Sequence, residues 1–297
     1  MRPRESAGRR TALLFVLVAL TGCGRGEAPR GQASPESRAL VSEAAARMDE
    51  GRVDLALGAL DRARELSPRD AEVRVARAAA LEAAARYREA RDEALEAHRL
   101  APGDDQIALT ALRLDSDFIR PRETEALARR VVARLPNDPN AHLWLGIAIA
   151  GADDPRRFPE ALEHLREANR LSPRSADPLI RMGKLHERMG DLDRAEGMHL
   201  AARRALEAAP PPPGAHVDAL ARWVERRRTV AFCLAGIHQR RGRVAESRRE
   251  AAEAARWSAR ASELRRIRNR AFALPPDPAA QARLQQAARL GLEFWRD

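Results

Sequence analysis

Apolar and polar positions along the chain fall into three regimes. Ala12 to Leu20 (ALLFVLVAL) is an unbroken apolar run behind Arg2, Arg4, Arg9 and Arg10. A membrane span needs about 20 apolar residues and the core of an export signal about 7 to 15. The run therefore predicts an export signal over 1–22 rather than a spanning helix. Residues 24–36 are rich in Gly, Pro, Ser and charge and have nothing to bury, which predicts a disordered tether over 23–36. From residue 37 onward, small and apolar residues recur at helical spacing.

That helical pattern itself repeats. Pro68, Pro102 and Pro136 are 34 residues apart, and Pro173 follows after 37. Ala56, Ala90, Ala161 and Ala195 share one phase, with Thr124 in the third unit. Ala63, Ala97, Ala168 and Ala202 share a second, with Val131 in the third. Small residues seven apart lie on one helix face, two turns apart, and let a neighbouring helix approach closely. Proline then ends the helix, because it lacks an amide donor and clashes with the preceding turn. The pattern predicts an all-α chain, an α-solenoid of antiparallel helix pairs over 37–209. Its units are 37–70, 71–104, a degenerate 105–138, 139–175 with an enlarged turn around "GADDPRRFP", and 176–209. "APPPPGA" (209–215) cannot continue a helix and sets a break over 210–215. Residues 216–272 read as a divergent, arginine-rich pair with Gly242 at the turn and Ala251 and Ala254 on the second helix. Asp277 as cap and Pro278 at the first helical position start a capping helix within 276–297.

A 34-residue helix pair with small residues at positions 8, 20 and 27 and proline at 32 resembles the tetratricopeptide repeat. Ala44, Ala78, Gly146 and Gly183 occupy position 8. The resemblance implies a scaffold for protein or peptide partners, with positions 2, 5, 9, 12 and 13 of each first helix lining a concave groove. Carried over, these are Glu72, Val75, Ala79, Glu82 and Ala83, then Asn140, Leu143 and Ile147, then Asp177, Ile180, Lys184, Glu187 and Arg188. The lysine and asparagine expected at positions 5 and 9 for clamping a chaperone-tail carboxylate are replaced by Val75, Ala79, Leu143 and Ile147. An amphipathic helix or extended peptide suits such a groove better.

Leu20-Thr21-Gly22-Cys23, at the end of the apolar run, resembles the bacterial lipoprotein lipobox. It implies cleavage before Cys23, acylation of that cysteine and anchoring in a lipid bilayer. Two or more acyl chains give stable attachment where one does not. Gly24 stands where proteins retained in the inner membrane commonly have aspartate, so the resemblance implies an outer-membrane lipoprotein facing the periplasm.

Composition adds little to the fold and more to the partner. Aromatics are 4% of residues, so the core must come from close helix approach. The formal charge is +10, Lys184 is the only lysine, and residues 215–270 hold fifteen arginines against six acidic residues. The basic character thus belongs to the C-terminal third, where an anionic polymer, an anionic lipid or an acidic protein could meet it. Export argues against nucleic acid. The seven histidines (98, 142, 164, 186, 199, 216, 238) show no metal-ligand spacing, and no nucleophile elbow or phosphate loop is present. No catalytic residue, metal or cofactor is expected. Cys233, in the apolar "VAFCLAGI", reads as a buried free thiol, or else as half of an intermolecular disulfide. Trp144, Trp223, Trp257 and Trp295 read as core residues. The expected function is a lipid-anchored, non-enzymatic scaffold in an envelope assembly such as a pilus, secretion or outer-membrane biogenesis complex. The alternative is an enzyme or enzyme accessory acting on cell wall or exopolysaccharide.

Overall fold

A computed structural model of the chain describes residues 34–115, 121–212, 217–271 and 277–290. The export signal, Cys23, most of the tether, His216 and Trp295 lie outside the described residues. Among those described, thirteen α-helices and one short 3-10 turn occur and no strand. In chain order they are α1 Pro35–Asp49, α2 Val53–Leu66, α3 Ala71–Ala83, α4 Tyr87–Leu100, α5 Asp105–Asp115, α6 Pro121–Arg134, α7 Pro139–Gly151, the turn Pro155–Arg157, α8 Phe158–Leu171, α9 Ala176–Arg188, α10 Leu192–Ala208, α11 Val217–Arg240, α12 Val244–Ala271 and α13 Pro278–Leu290. The first helix begins two residues inside the expected tether, because Ser34 accepts from Ser37 N–H and Pro35 sits at the first helical position.

The chain divides into two compact units, one ending at Leu114 and the other beginning at Asp115. The division falls inside 105–138, the repeat whose small residues have eroded.

In the first unit α1 packs on α2 and α3 on α4. Ala56, Ala63, Ala90 and Ala97 have no exposed surface, and they let the backbones approach. Asp70 and Asp104 cap α3 and α5 through backbone N–H groups two and three residues on. The turns inside the pairs share one geometry. Gly51 and Ala85 are left-handed, and Arg52 and Arg86 donate through their backbone N–H groups to Arg47 O and Leu81 O, five residues back. Glu93 is buried among Arg64, Arg74 and Arg77, at 3.4, 3.1 and 2.7 Å, and Arg77 also reaches Asp61 at 2.8 Å.

The second unit repeats the scheme. α7 pairs with α8, α9 with α10 and α11 with α12, and Ala161, Ala168, Ala195 and Ala202 are fully buried. Gly190 and Gly242 take the left-handed turn position. Two glycines on first helices are sites of close approach: a Cβ on Gly146 would come within 2.8 Å of Leu165, and one on Gly183 within 2.6 Å of the His199 ring. The last pair is longer, at 24 and 28 residues. Ala254 faces its core while Ala251 is exposed, so only one of the two expected small positions is a contact. Trp223 and Trp257 meet edge to face at 5.2 Å in that core, and Trp223 Nε1 donates to Leu206 O. α13, capped by Asp277, lays Ala280, Leu284 and Ala287 against α11 and α12.

Candidate functional site

The groove positions are carried by α3 in the first unit and by α7 and α9 in the second. On α3, Val75 and Ala79 reach the surface, whereas Glu82 is taken up by Arg113 of α5. On α7, Asn140 is exposed and Ile147 half-buried; Leu143 is 6% exposed and serves packing instead. On α9, Ile180 is likewise 6% exposed and belongs to the core around Trp223. Asp177 receives both Arg226 Nε and Nη2 at 2.6 Å. Arg188 donates to Ala150 O at 2.8 Å, pairs with Asp153 and lies over the Phe158 ring. Glu187 bonds His199 Nε2 at 2.7 Å. Lys184 points out, with no counter-ion among the described residues.

Two cavities adjoin Lys184. One of about 260 Å³ lies along α7 and α9, with Trp144, Ile147, Arg181 and Leu185 in its wall. Trp144 is therefore a half-buried wall residue, unlike the core residues Trp223 and Trp257. The other, of about 550 Å³, lies between α9 and α11 and is bounded by Glu187, Arg188, Arg228, Thr229, Phe232, Cys233 and Arg240. Phe232 is 68% exposed. It is the most exposed of the large apolar side chains among the described residues. Around it the charge is positive. Arg228 is held by Glu225, whereas Arg181, Lys184 and Arg240 meet no acidic group among the described residues.

Sequence reasoning missed Arg181 and Phe232, and it reached Arg228 and Arg240 only as part of the basic C-terminal third. Phe232 sits in an apolar octet that looks uniformly buried, and only the placement of α11 beside α9 turns that one position outward.

Cys233 is buried and unpaired by disulfide, and burial, reinforced by Glu187, pushes its thiol up to about 12. It is thus a protonated thiol at neutral pH. Burial also lowers the His186 and His164 rings below the usual imidazole value, the latter helped by His142.

The arginine clusters are mostly engaged internally. Arg226, Arg227, Arg241 and Arg243 pair with Asp177, with Glu207 and Glu253, with Asp193 and Glu196, and with Glu196 respectively. Arg240, Arg248, Arg249, Arg265 and Arg266 remain at the surface.

No protein-family model matches the chain. Over 170 residues, 56% of its length, the chain is 29% identical to the cellulose synthase operon protein C of Pseudomonas fluorescens strain SBW25, and it spans 12% of that relative. Among solved structures it is similar to PilW, a type IV pilus biogenesis factor, with TM-score 0.56, 17% identity and coverage of 74% of this chain and 93% of that one. It is similar to TTC0263, a tetratricopeptide protein of Thermus thermophilus, with TM-score 0.52, 20% identity and coverage of 67% and 96%. For MamA of Desulfovibrio magneticus RS-1 the values are 0.51, 17%, 60% and 98%. At such identities the likeness speaks to fold, and the fold is a tetratricopeptide-like solenoid of helix pairs. No helix among the described residues is long and apolar enough to cross a membrane.

Proposed function

We propose that this protein is a lipid-anchored scaffold of the bacterial cell envelope whose second unit docks a segment of a partner protein. The observation that carries the reading is the exposed Phe232, in a cavity ringed by Lys184, Arg228 and Arg240. A preformed surface limits the ordering cost of binding, and a desolvated aromatic anchor supplies most of the affinity at such sites. The chemistry suits a segment that places an apolar side chain against Phe232 and carboxylates beside Lys184 and Arg240. Asn140, Ile147 and Lys184 extend the groove along α7 and α9. The likeness to a pilus biogenesis factor supports placement in an envelope assembly. The lipobox-like Leu20-Thr21-Gly22-Cys23 supports anchoring through acylated Cys23.

Crosslinked capture from intact envelopes, comparing the native chain with Phe232→Ala and Lys184→Glu, tests the docking site. A partner recovered with the native chain and lost with both folded variants is the expected result; equal recovery from all three overturns it. The anchor has its own test. Cys23→Ser should move the protein from membrane to soluble fractions, and unchanged membrane association rejects lipid attachment.

The cellulose synthase operon relative favours a second reading, an accessory to exopolysaccharide synthesis whose arginine-rich C-terminal part holds an anionic polymer. The surface residues Arg248, Arg249, Arg265 and Arg266 would carry that contact. Salt-sensitive cosedimentation with an anionic polysaccharide, weakened by replacing these four with glutamine, separates this reading from protein docking.

A further inference from the structure

Three consecutive helices bring together side chains of three different donor types. Glu187 is in the last turn of α9, His199 lies mid-α10 and Cys233 is in the second half of α11. Their ligand-capable atoms lie within 4.8 Å of one another. His199 has no exposed surface, and its ring is pinned under Gly183, where even a methyl group would overlap it. Glu187 and Cys233 both border the 550 Å³ cavity, which gives the cluster a route to the outside.

We propose that Glu187, His199 and Cys233 form a three-ligand site for a zinc-class divalent cation, with its fourth position open to water from the cavity. The donor set decides the class. A thiolate sulfur and an imidazole nitrogen select against magnesium and calcium, which take oxygen ligands, and they match zinc, for which one carboxylate completes three protein ligands and leaves one open position. Zinc bonds of about 2.0 to 2.3 Å place tetrahedral ligands about 3.3 to 3.6 Å apart. The present spread runs from the 2.7 Å hydrogen bond between His199 Nε2 and Glu187 to the 4.8 Å limit. Side-chain shifts of about an ångström bring the set into range.

Charge is compatible with occupancy. Thiolate and carboxylate together neutralise the ion, so Lys184 and Arg240 beside the cavity face no net positive centre. Arg188 and Arg228 there are already paired with Asp153 and Glu225. The hydrated ion gives up all but one of its waters as it forms one Zn–S, one Zn–N and one Zn–O bond; the Cys233 Sγ proton goes to solvent, and the His199–Glu187 hydrogen bond breaks, with the imidazole proton moved to Nδ1. The ion would tie the last two first-helices to the helix between them, where the docking cavity opens.

The inference does not depend on a partner and is tested on the purified full-length chain. A Cys23→Ser background leaves Cys233 as the sole thiol. After chelator treatment, dialysis against zinc should load about one ion per chain. Cobalt in its place should give the absorption of a thiolate-to-metal charge transfer. Cys233→Ala, a small-for-small change inside α11, should abolish that absorption and weaken zinc binding by about tenfold or more while the circular dichroism stays helical. Glu187→Gln, at the cavity edge, should weaken binding without removing the absorption. Loading clearly below one ion, cobalt uptake without a thiolate band, or undiminished zinc binding by Cys233→Ala each overturns the assignment.

Discussion

Arg157 clamps Glu125 through two hydrogen bonds of 2.9 and 2.6 Å, joining the 3-10 turn before α8 to α6. The clamp comes from the three extra residues of the fourth repeat, whose enlarged turn projects Arg157 back over the preceding repeat. Glu160 and Arg129 complete the cluster. The Arg157 guanidinium, with Arg129 behind it, lowers the Glu125 carboxyl to about 2.

A carboxyl depressed below its unfolded value of about 4.3 contributes stability that is fully present above about pH 5. That contribution is lost as pH falls through about 2. Thermal unfolding of Glu125→Gln should therefore show a lower midpoint than the native chain at pH 7 and a gap that closes toward pH 2. A gap independent of pH would contradict the role of the clamp.

Ala85 holds the left-handed turn position, at φ 59°, where Gly51, Gly190 and Gly242 stand in other repeats. An L-residue there costs about 1–2 kcal/mol, and glycine relieves that strain while giving back part of the gain through unfolded-state entropy. Ala85→Gly should stabilise the first unit by about 0.5–1 kcal/mol in urea denaturation.

Gly183→Ala drives a methyl group into the buried His199 ring. Overpacking of this kind costs about 1–3 kcal/mol. The urea midpoint of the second unit should fall accordingly, whereas Gly197→Ala, a helical position with open space around the new methyl, should leave it unchanged or raised.

Glu93 is 7% exposed and answers three arginines. Glu93→Ala removes the carboxylate these arginines share and leaves Arg77 and Arg64 with Asp61 and Arg74 with Pro68 O, and it should destabilise the first unit by about 1–3 kcal/mol, read from the midpoint of chemical unfolding. Glu65, a carboxylate near the end of α2 with no ion pair among the described residues, should tolerate the same change.

Ala168→Trp places an indole where no surface is exposed and α8 meets its neighbours. Thermal stability should drop sharply; a neutral result would contradict the close approach of those helices.

The helix pairs were legible in the sequence because the cause of their packing is local and periodic. Small residues at positions 8, 20 and 27 of most repeats and a proline near the end of the first four, 34 residues apart in the first three, specify which face is buried and where each pair ends, whatever the distant contacts. The lipobox-like Leu20-Thr21-Gly22-Cys23 is likewise a short motif at a fixed place, and it lies outside the described residues. Asp70, Asp104 and Asp138, which cap α3, α5 and α7, each stand two residues after the repeat proline.

What the sequence could not determine is which side chains of separate repeats meet. Glu187, His199 and Cys233 are scattered over three helices with no spacing that marks them, and only the stacking of α9, α10 and α11 brings them within 4.8 Å. Leu143 and Ile180 fall on groove positions by register, yet the width of the helix contacts buries them. Phe232 looks like core until the position of α11 turns it outward. Local pattern sets the helices and the faces that must be buried. Stacking, which depends on side-chain volumes many residues apart, decides what the remaining faces offer to a ligand.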